Sequence, residues 1–206
     1  MQLRVAYANT GEEYVKRQGW QQATLSRCPL HPQGDCGFAR HGTYARVSPP
    51  GTLITRYDCP EGHRTFSLLP DCYAARLSGQ LSEVEDLVRA VEQAPSQAAA
   101  CATLRLEIEL PGVQRFVTRR VQAVHAALVV IKGLLPERFG LCAPTLLAFA
   151  LVLGVSDVLV ALRGIAEPWL QELPRPLGFS PRRQPGGGRD RARQHRAGAD
   201  PPGLVA

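Results

Sequence analysis

The sequence predicts an α+β chain: a small β-hairpin unit clasped by cysteine and histidine, a mostly α-helical body, and a disordered Arg-rich tail. Three observations predict it. Four of the six cysteines fall between residues 28 and 72, among His, Gly, Pro and β-forming residues. From Ser82 onward apolar residues recur at helical spacing. Beyond Pro174 the composition turns to Pro, Gly and Arg, too poor in apolar side chains to bury a core. The boundaries that follow are an N-terminal extension over 1–27, the Cys/His unit over 28–78, the helical domain over 79–174 and the tail over 175–206.

In chain order, the extension holds an amphipathic fragment, Gly11 to Ala23, that predicts a short helix. Gly42–Val47 and Thr52–Tyr57 read as short strands, and Ser48-Pro-Pro-Gly between them as a hairpin tip. Ser82 then offers a cap, Glu83, Glu85 and Asp86 put acidic groups in the first turn, and Leu81, Val84, Leu87, Val88 and Val91 form an apolar stripe. Pro95-Ser96 opens a short Ala-rich helix, residues 106–112 break it, and a long helix runs from Val113 to Leu135, stopped by Pro136. Further helices are expected at 144–153, 155–165 and 167–173.

From Phe139 to Val155 the sequence carries no charge over seventeen residues. That is short of the ~20 a membrane span needs, and Pro144 and Gly154 interrupt it. Buried helices are expected there and no membrane partner. The start of the sequence lacks the basic-then-apolar pattern of a secretory leader. Thiols set among histidines fit a reducing compartment, so the expected location is cytoplasmic.

The net charge of +6 is unevenly placed. From Arg175 onward there are seven Arg against Asp190 and Asp200, so the rest of the chain is close to neutral. Attraction to nucleic acid must therefore come from local clusters, or from sequence-independent contacts of the tail.

The strongest chemical signal is Cys28-Pro-Leu-His31 with Cys36-Gly, followed after the hairpin by Cys59-Pro-Glu-Gly-His63. Two ligand-bearing turns joined by a hairpin describe a zinc ribbon, and Zn²⁺ takes four Cys and His ligands tetrahedrally. There are five candidates for four places. Cys28, Cys36, Cys59 and His63 are the first choice, with His31 able to replace Cys36. Four protein ligands leave no position for water, so the Zn²⁺ would be structural, holding together a unit too small for a large core.

Cys36-Gly-Phe-Ala-Arg-His-Gly-Thr-Tyr-Ala-Arg, Ile54-Thr-Arg-Tyr-Asp-Cys-Pro and Arg64-Thr-Phe-Ser-Leu-Leu-Pro70 together resemble the zinc-ribbon region at the front of many bacterial transposase-like proteins. The resemblance covers residues 28 to 72 well and 82 to 125 loosely. It implies that Cys36 and Cys59 are the second and third ligands and that a helix-turn-helix follows. Two departures stand out: seven residues separate Cys28 from Cys36 where the family has two, and Gly62 stands where the fourth Cys is expected, with His63 one place later.

The helical pattern over 82–135 fits a helix-turn-helix whose recognition helix begins at Gly112. Val113, Phe116, Val117, Val121 and Val124 would form its buried stripe. Gln114, Arg115, Thr118, Arg119 and Gln122 fall on the other face, where Arg and Gln can donate to guanine and adenine edges. Arg120 is expected to meet a phosphate. His125 lies near the apolar side and reads as a core histidine.

Strand-transfer chemistry needs clustered carboxylates to hold two metal ions. Glu83, Glu85 and Asp86 fall on expected solvent faces or helix starts, and Asp157 stands alone in an apolar stretch, so no enzyme is expected. The sequence reading is a zinc-dependent DNA-binding protein, working with a transposase or recombinase partner or as a homodimer. The alternatives are a protein-interaction adaptor docking through 139–165, and a non-catalytic remnant of a transposase.

Overall fold

The computed structural model describes residues 1–7, 9–107 and 112–180. It is α+β, with a four-stranded mixed sheet followed by helices. The strands are β1 (Gln2–Val5), β2 (Ala39–Ala45), β3 (Leu53–Cys59) and β4 (Arg64–Pro70), in the spatial order β1-β4-β3-β2. Strands β2, β3 and β4 form an antiparallel meander, and β1 adds to β4 in parallel, pairing Leu3 with Leu68 and Val5 with Pro70.

The expected hairpin is present as β2–β3, with residues 48–51 at its tip. Its register slips between Arg40 and Thr43, where Gly42 takes φ +82°, a conformation that suits glycine in a bulge. β1 and β4 extend the sheet beyond the expected hairpin. β1 draws the first residues of the extension into the sheet, and the amphipathic fragment divides into α1 (Gly11–Lys16) and α2 (Gly19–Gln22).

Strand alternation sorts the sheet's side chains into two buried clusters. Tyr57, Cys59, Phe66 and Leu68 join Ala23, Cys28 and Cys36 in a small one, with Phe38 stacked on Tyr57 at 5.1 Å and edge-on to Phe66 at 6.0 Å. Ile54, Leu69 and Tyr73 belong to the large one, which continues through the helices.

The helices are α3 (Leu81–Gln93), α4 (Gln97–Glu107), α5 (Val113–Leu134), α6 (Pro136–Phe139), α7 (Leu146–Leu153) and α8 (Val158–Ile165), with a 3₁₀ turn at Glu167–Trp169. Their order follows the sequence pattern closely. The break expected between α4 and α5 includes residues 108–111, which lie outside the described residues. Three local expectations are corrected. The N-cap of α3 is Gln80, whose backbone N–H donates to Glu83 at 2.9 Å, and Ser82 sits inside the first turn. Pro136 does not simply end the chain's helical run. Its fixed φ suits a first helical position, and it opens α6. Glu85 is buried at 4 % exposure, not on a solvent face.

Glu85 and Glu92 explain how the strongly apolar α7 and α8 begin. Each carboxylate projects from α3 to the open N-terminus of another helix. Glu85 accepts from the backbone of Val158 at 3.0 Å and Leu159 at 2.8 Å, and Glu92 from Leu146 at 2.9 Å and Leu147 at 3.1 Å. Free N–H groups at a helix start favour an anion, so α3 supplies from a distance the anion that α7 lacks locally and that Asp157, which makes no side-chain cap, does not provide at α8. His125 is a half-buried partner of the same Glu92, with Nε2 2.9 Å from Oε1.

Arg163 of α8 is fully buried. It donates to Leu177 O at 3.0 Å, Asp71 O at 3.0 Å, Tyr73 O and Pro176 O at 2.6 Å each, and Pro70 O at 3.4 Å. One guanidinium thus joins the end of β4, α8 and the turn at 176–177. The expected tail boundary moves accordingly: Leu177 and Phe179 are buried at 0 % and 2 %, so packed chain continues through Ser180. The rest of the expected Arg-rich tail, from residue 181, lies outside the described residues.

Among the described residues no single helix is long and apolar enough to cross a membrane, and α7 and α8 are bent by 67° to each other.

Candidate metal centre and basic groove

Cys59 ends β3 on the face of Tyr57, because residues two apart on a strand share a side. The turn at Pro60–His63 then reverses the chain into β4. The segment from Cys28 to Cys36 folds against this end of the sheet, with Gly34 and Gly37 at φ +100° and +65° shaping its turns. The result brings four donors together: Cys28, His31, Cys36 and Cys59 offer atoms that all lie within 4.8 Å of one another. His31 Nδ1 is 3.3 Å from Cys59 Sγ and 3.7 Å from Cys28 Sγ. All six cysteines are free thiols, and the three in the cluster are buried.

The donor set fits a metal ion. Zn–S bonds of ~2.3 Å and a Zn–N bond of ~2.0 Å arranged tetrahedrally place nitrogen and sulfur ~3.5 Å apart, and the two His31 distances of 3.3 and 3.7 Å lie on either side of that. Burial pushes the Cys59 thiol up to about 11, with Cys28 and Cys36 adding to the rise and the Gly62 N–H, 3.3 Å from its sulfur, opposing it. Burial also works to raise Cys28, but backbone N–H groups of Leu30 and His31 and the His31 ring bring it down to about 7. Three thiolates this close would repel one another, and a metal ion bound between them would relieve that repulsion.

Of the five sequence candidates, the structure gathers four and leaves out His63. That residue is exposed at φ +46° in the β3–β4 turn. His31 is the fourth donor of the gathered set, and it joins Cys36 instead of replacing it. The physical reason lies at Gly62. A Cβ there would come within 2.7 Å of Leu30 Cδ1, 3.2 Å of Cys59 Sγ and 3.4 Å of His31 Cε1. The long first loop folds its own Leu30 and His31 into the space that a side chain at position 62 would fill. Glu61 lies on the far side of the His31 ring, with a carboxylate oxygen 4.0 Å from Nε2.

The second constellation is on α5. Val113, Val117 and Val124 are buried as expected, while Phe116 and Val121 are only partly so, and Ala127, Leu128 and Ile131 continue the stripe. Gln114, Arg115, Thr118, Arg119, Arg120 and Gln122 line a single groove of about 1120 Å³. Its other lining residues include Arg76, Ser78 and Arg175, and sequence reasoning nominated none of these because they come from distant segments. No carboxylate is among the lining residues, and among the described residues none of the five arginines makes an ion pair.

Two of the nominated side chains are engaged within the protein. Thr118 Oγ1 donates to Gln114 O at 2.7 Å and accepts from Gln97 at 2.6 Å. Arg120 stacks over the Phe116 ring at 3.5 Å and donates to Ser78 Oγ at 2.9 Å and Ser78 O at 3.3 Å. Burial holds its guanidinium below the ordinary value, with Glu83 acting the other way. Arg115, Arg119, Gln114 and Gln122 are exposed.

Comparison with family models, with curated proteins and with solved structures finds no match.

Proposed function

We propose that the chain is a DNA-binding protein of transposase-like zinc-ribbon type, with a structural Zn²⁺ and a duplex-reading face on α5. The observation that carries this reading is the groove: every α5 residue nominated for base or phosphate contact lines it, with five arginines and no described carboxylate. Arg115, Arg119, Gln114 and Gln122 project donors suited to base edges and phosphates. Three thiols and an imidazole favour Zn²⁺ over harder cations, and four protein donors suit a structural centre. Cys28, His31, Cys36 and Cys59 would hold the ion and brace the β3–β4 end of the sheet, leaving α5 to carry recognition.

A mobility-shift titration of the intact chain on random and element-end duplexes tests the reading. Binding at low salt that weakens with added salt, and weakens further in Arg115→Ala and Arg119→Ala, is the expected result. No binding at low salt would refute it. The second reading is a protein-interaction adaptor, favoured by exposed Leu147, Leu151, Val152 and Val155 on and after α7. Self-association of the chain lost in Leu151→Lys, without DNA binding, would support it.

A further inference from the structure

We infer that Arg76 and Arg175 form a second wall opposite α5 that grips one sugar–phosphate strand of a DNA duplex. The inference rests on the DNA-binding reading and adds to it residues outside the recognition helix.

Arg76 is exposed and has φ +56°, in the left-handed region that a long side chain rarely occupies. A residue kept there without burying itself invites a functional explanation. Its guanidinium is aimed by a hydrogen bond from Nη2 to Phe179 O at 2.9 Å, and among the described residues its remaining N–H groups meet no other acceptor. The Arg120 bonds to Ser78, with the Phe116 stack beneath them, tie this loop to α5 and set the spacing of the two walls. Arg120 is thus a positioning residue more than a phosphate contact. Arg175 is fixed differently. It stands between Pro174 and Pro176, whose rings restrict the backbone, and is followed by the buried Leu177 and Phe179.

Five arginines from three segments line this groove, no described carboxylate lines it with them, and none of the five makes an ion pair among the described residues, although Glu83 acts on Arg120 from outside the lining. A polyanion with regularly spaced charge would pair with them. Phosphate oxygens accept the forked donors of Arg, and contacts to phosphate position a duplex without reading its sequence. The two walls therefore divide the work: Arg76 and Arg175 hold the backbone while Gln114, Arg115, Arg119 and Gln122 face the bases.

The test is fluorescence anisotropy of the intact chain on labelled duplexes of several sequences over a salt series. Arg76→Gly is the informative variant, since glycine is at ease at φ +56° and only the side chain is lost. Arg76→Gly and Arg175→Ala are each expected to bind about fivefold more weakly on every sequence, with the salt slope shallower by ~0.9 per lost phosphate contact. Arg76→Lys should keep the slope. If the wild type binds but both variants leave affinity and slope unchanged, this inference fails and the α5 reading stands. A loss confined to some sequences would also overturn it, by making the second wall a reader of bases. If the wild type binds no duplex at low salt, or binds only an acidic peptide, both fail.

Discussion

Replacing Arg163 by methionine removes the pin between sheet and helices. Of its five carbonyl partners, Pro70 O also accepts from the Tyr73 backbone at 3.1 Å and Pro176 O from Ala75 at 2.8 Å. Among the described residues Asp71 O, Tyr73 O and Leu177 O have no backbone donor to fall back on. Three buried acceptors left unpaired cost ~1–3 kcal/mol each. Against this, an isolated guanidinium is expensive to bury, and burial already lowers its pKa to about 10. Asp71 is no direct counter-ion, since its carboxylate is engaged by Arg4 at 2.8 Å and 2.9 Å. Removing the guanidinium also removes the cost of desolvating it on folding, which recovers several kcal/mol of the loss, and methionine fills much of the volume. The net expectation is a destabilisation of ~3 kcal/mol, or a Tm lower by ~6–12 °C for a chain of this size. Urea denaturation followed by far-UV circular dichroism measures it. Lysine should not rescue, because one ammonium cannot reach the 71–73 and the 176–177 carbonyls together. A methionine variant within ~0.5 kcal/mol of wild type would show that these carbonyls find water or other donors readily, and the pin argument would be refuted.

The metal centre separates two histidines: His31→Ala should drop the zinc-to-protein ratio from one to near zero in elemental analysis, while His63→Ala should leave it at one. Chelation of the intact protein should change the near-ultraviolet signal of Phe38, Tyr57 and Phe66, which pack in the small cluster beside the ligands, yet keep most far-ultraviolet helical signal. Helix signal lost in step with the metal would mean that the two clusters do not respond independently. Glu92→Gln should cost ~1–2 kcal/mol in denaturant unfolding, since a neutral amide answers the α7 N-terminus and His125 less well than a carboxylate; an unchanged midpoint would remove Glu92 as a cap.

What the sequence made legible is what depends on local pattern. The hairpin announced itself through strand formers on either side of Pro49-Pro50-Gly51, and α3, α5, α7 and α8 through their apolar spacing and their Gly or Pro stops. The grouping of Cys28, Cys36 and Cys59 as candidate ligands was legible because each sits beside a Pro or Gly suited to a knuckle. His31 against His63 was not decidable by spacing, since the outcome turns on whether Leu30 and His31 fold over Gly62. β1 escaped notice because four residues, Gln2 to Val5, carry too little alternation to identify a strand that pairs across sixty-odd positions. The groove was half legible: its α5 floor could be read from helical periodicity, and its Arg76 and Arg175 wall could not.

The uncharged run from Phe139 to Val155 shows why such limits are physical. Read alone, it offers no acidic residue to meet the start of α7, which Thr145 caps through its hydroxyl, and Asp157, just beyond it at the start of α8, makes no side-chain cap. The anions sit instead at Glu85 and Glu92, seven residues apart on α3 and hence on one face of that helix. That spacing matches two helix starts far along the chain, and it places α7 and α8 with their N-termini against α3 and their apolar faces in the common core. Helix α3 therefore does two jobs with one buried face and its margin. Leu81, Val84, Leu87 and Val88 fill the core, while Glu85 and Glu92 orient what packs beside them. A charge inside an expected solvent face is informative in this fold only once its distant partner is known.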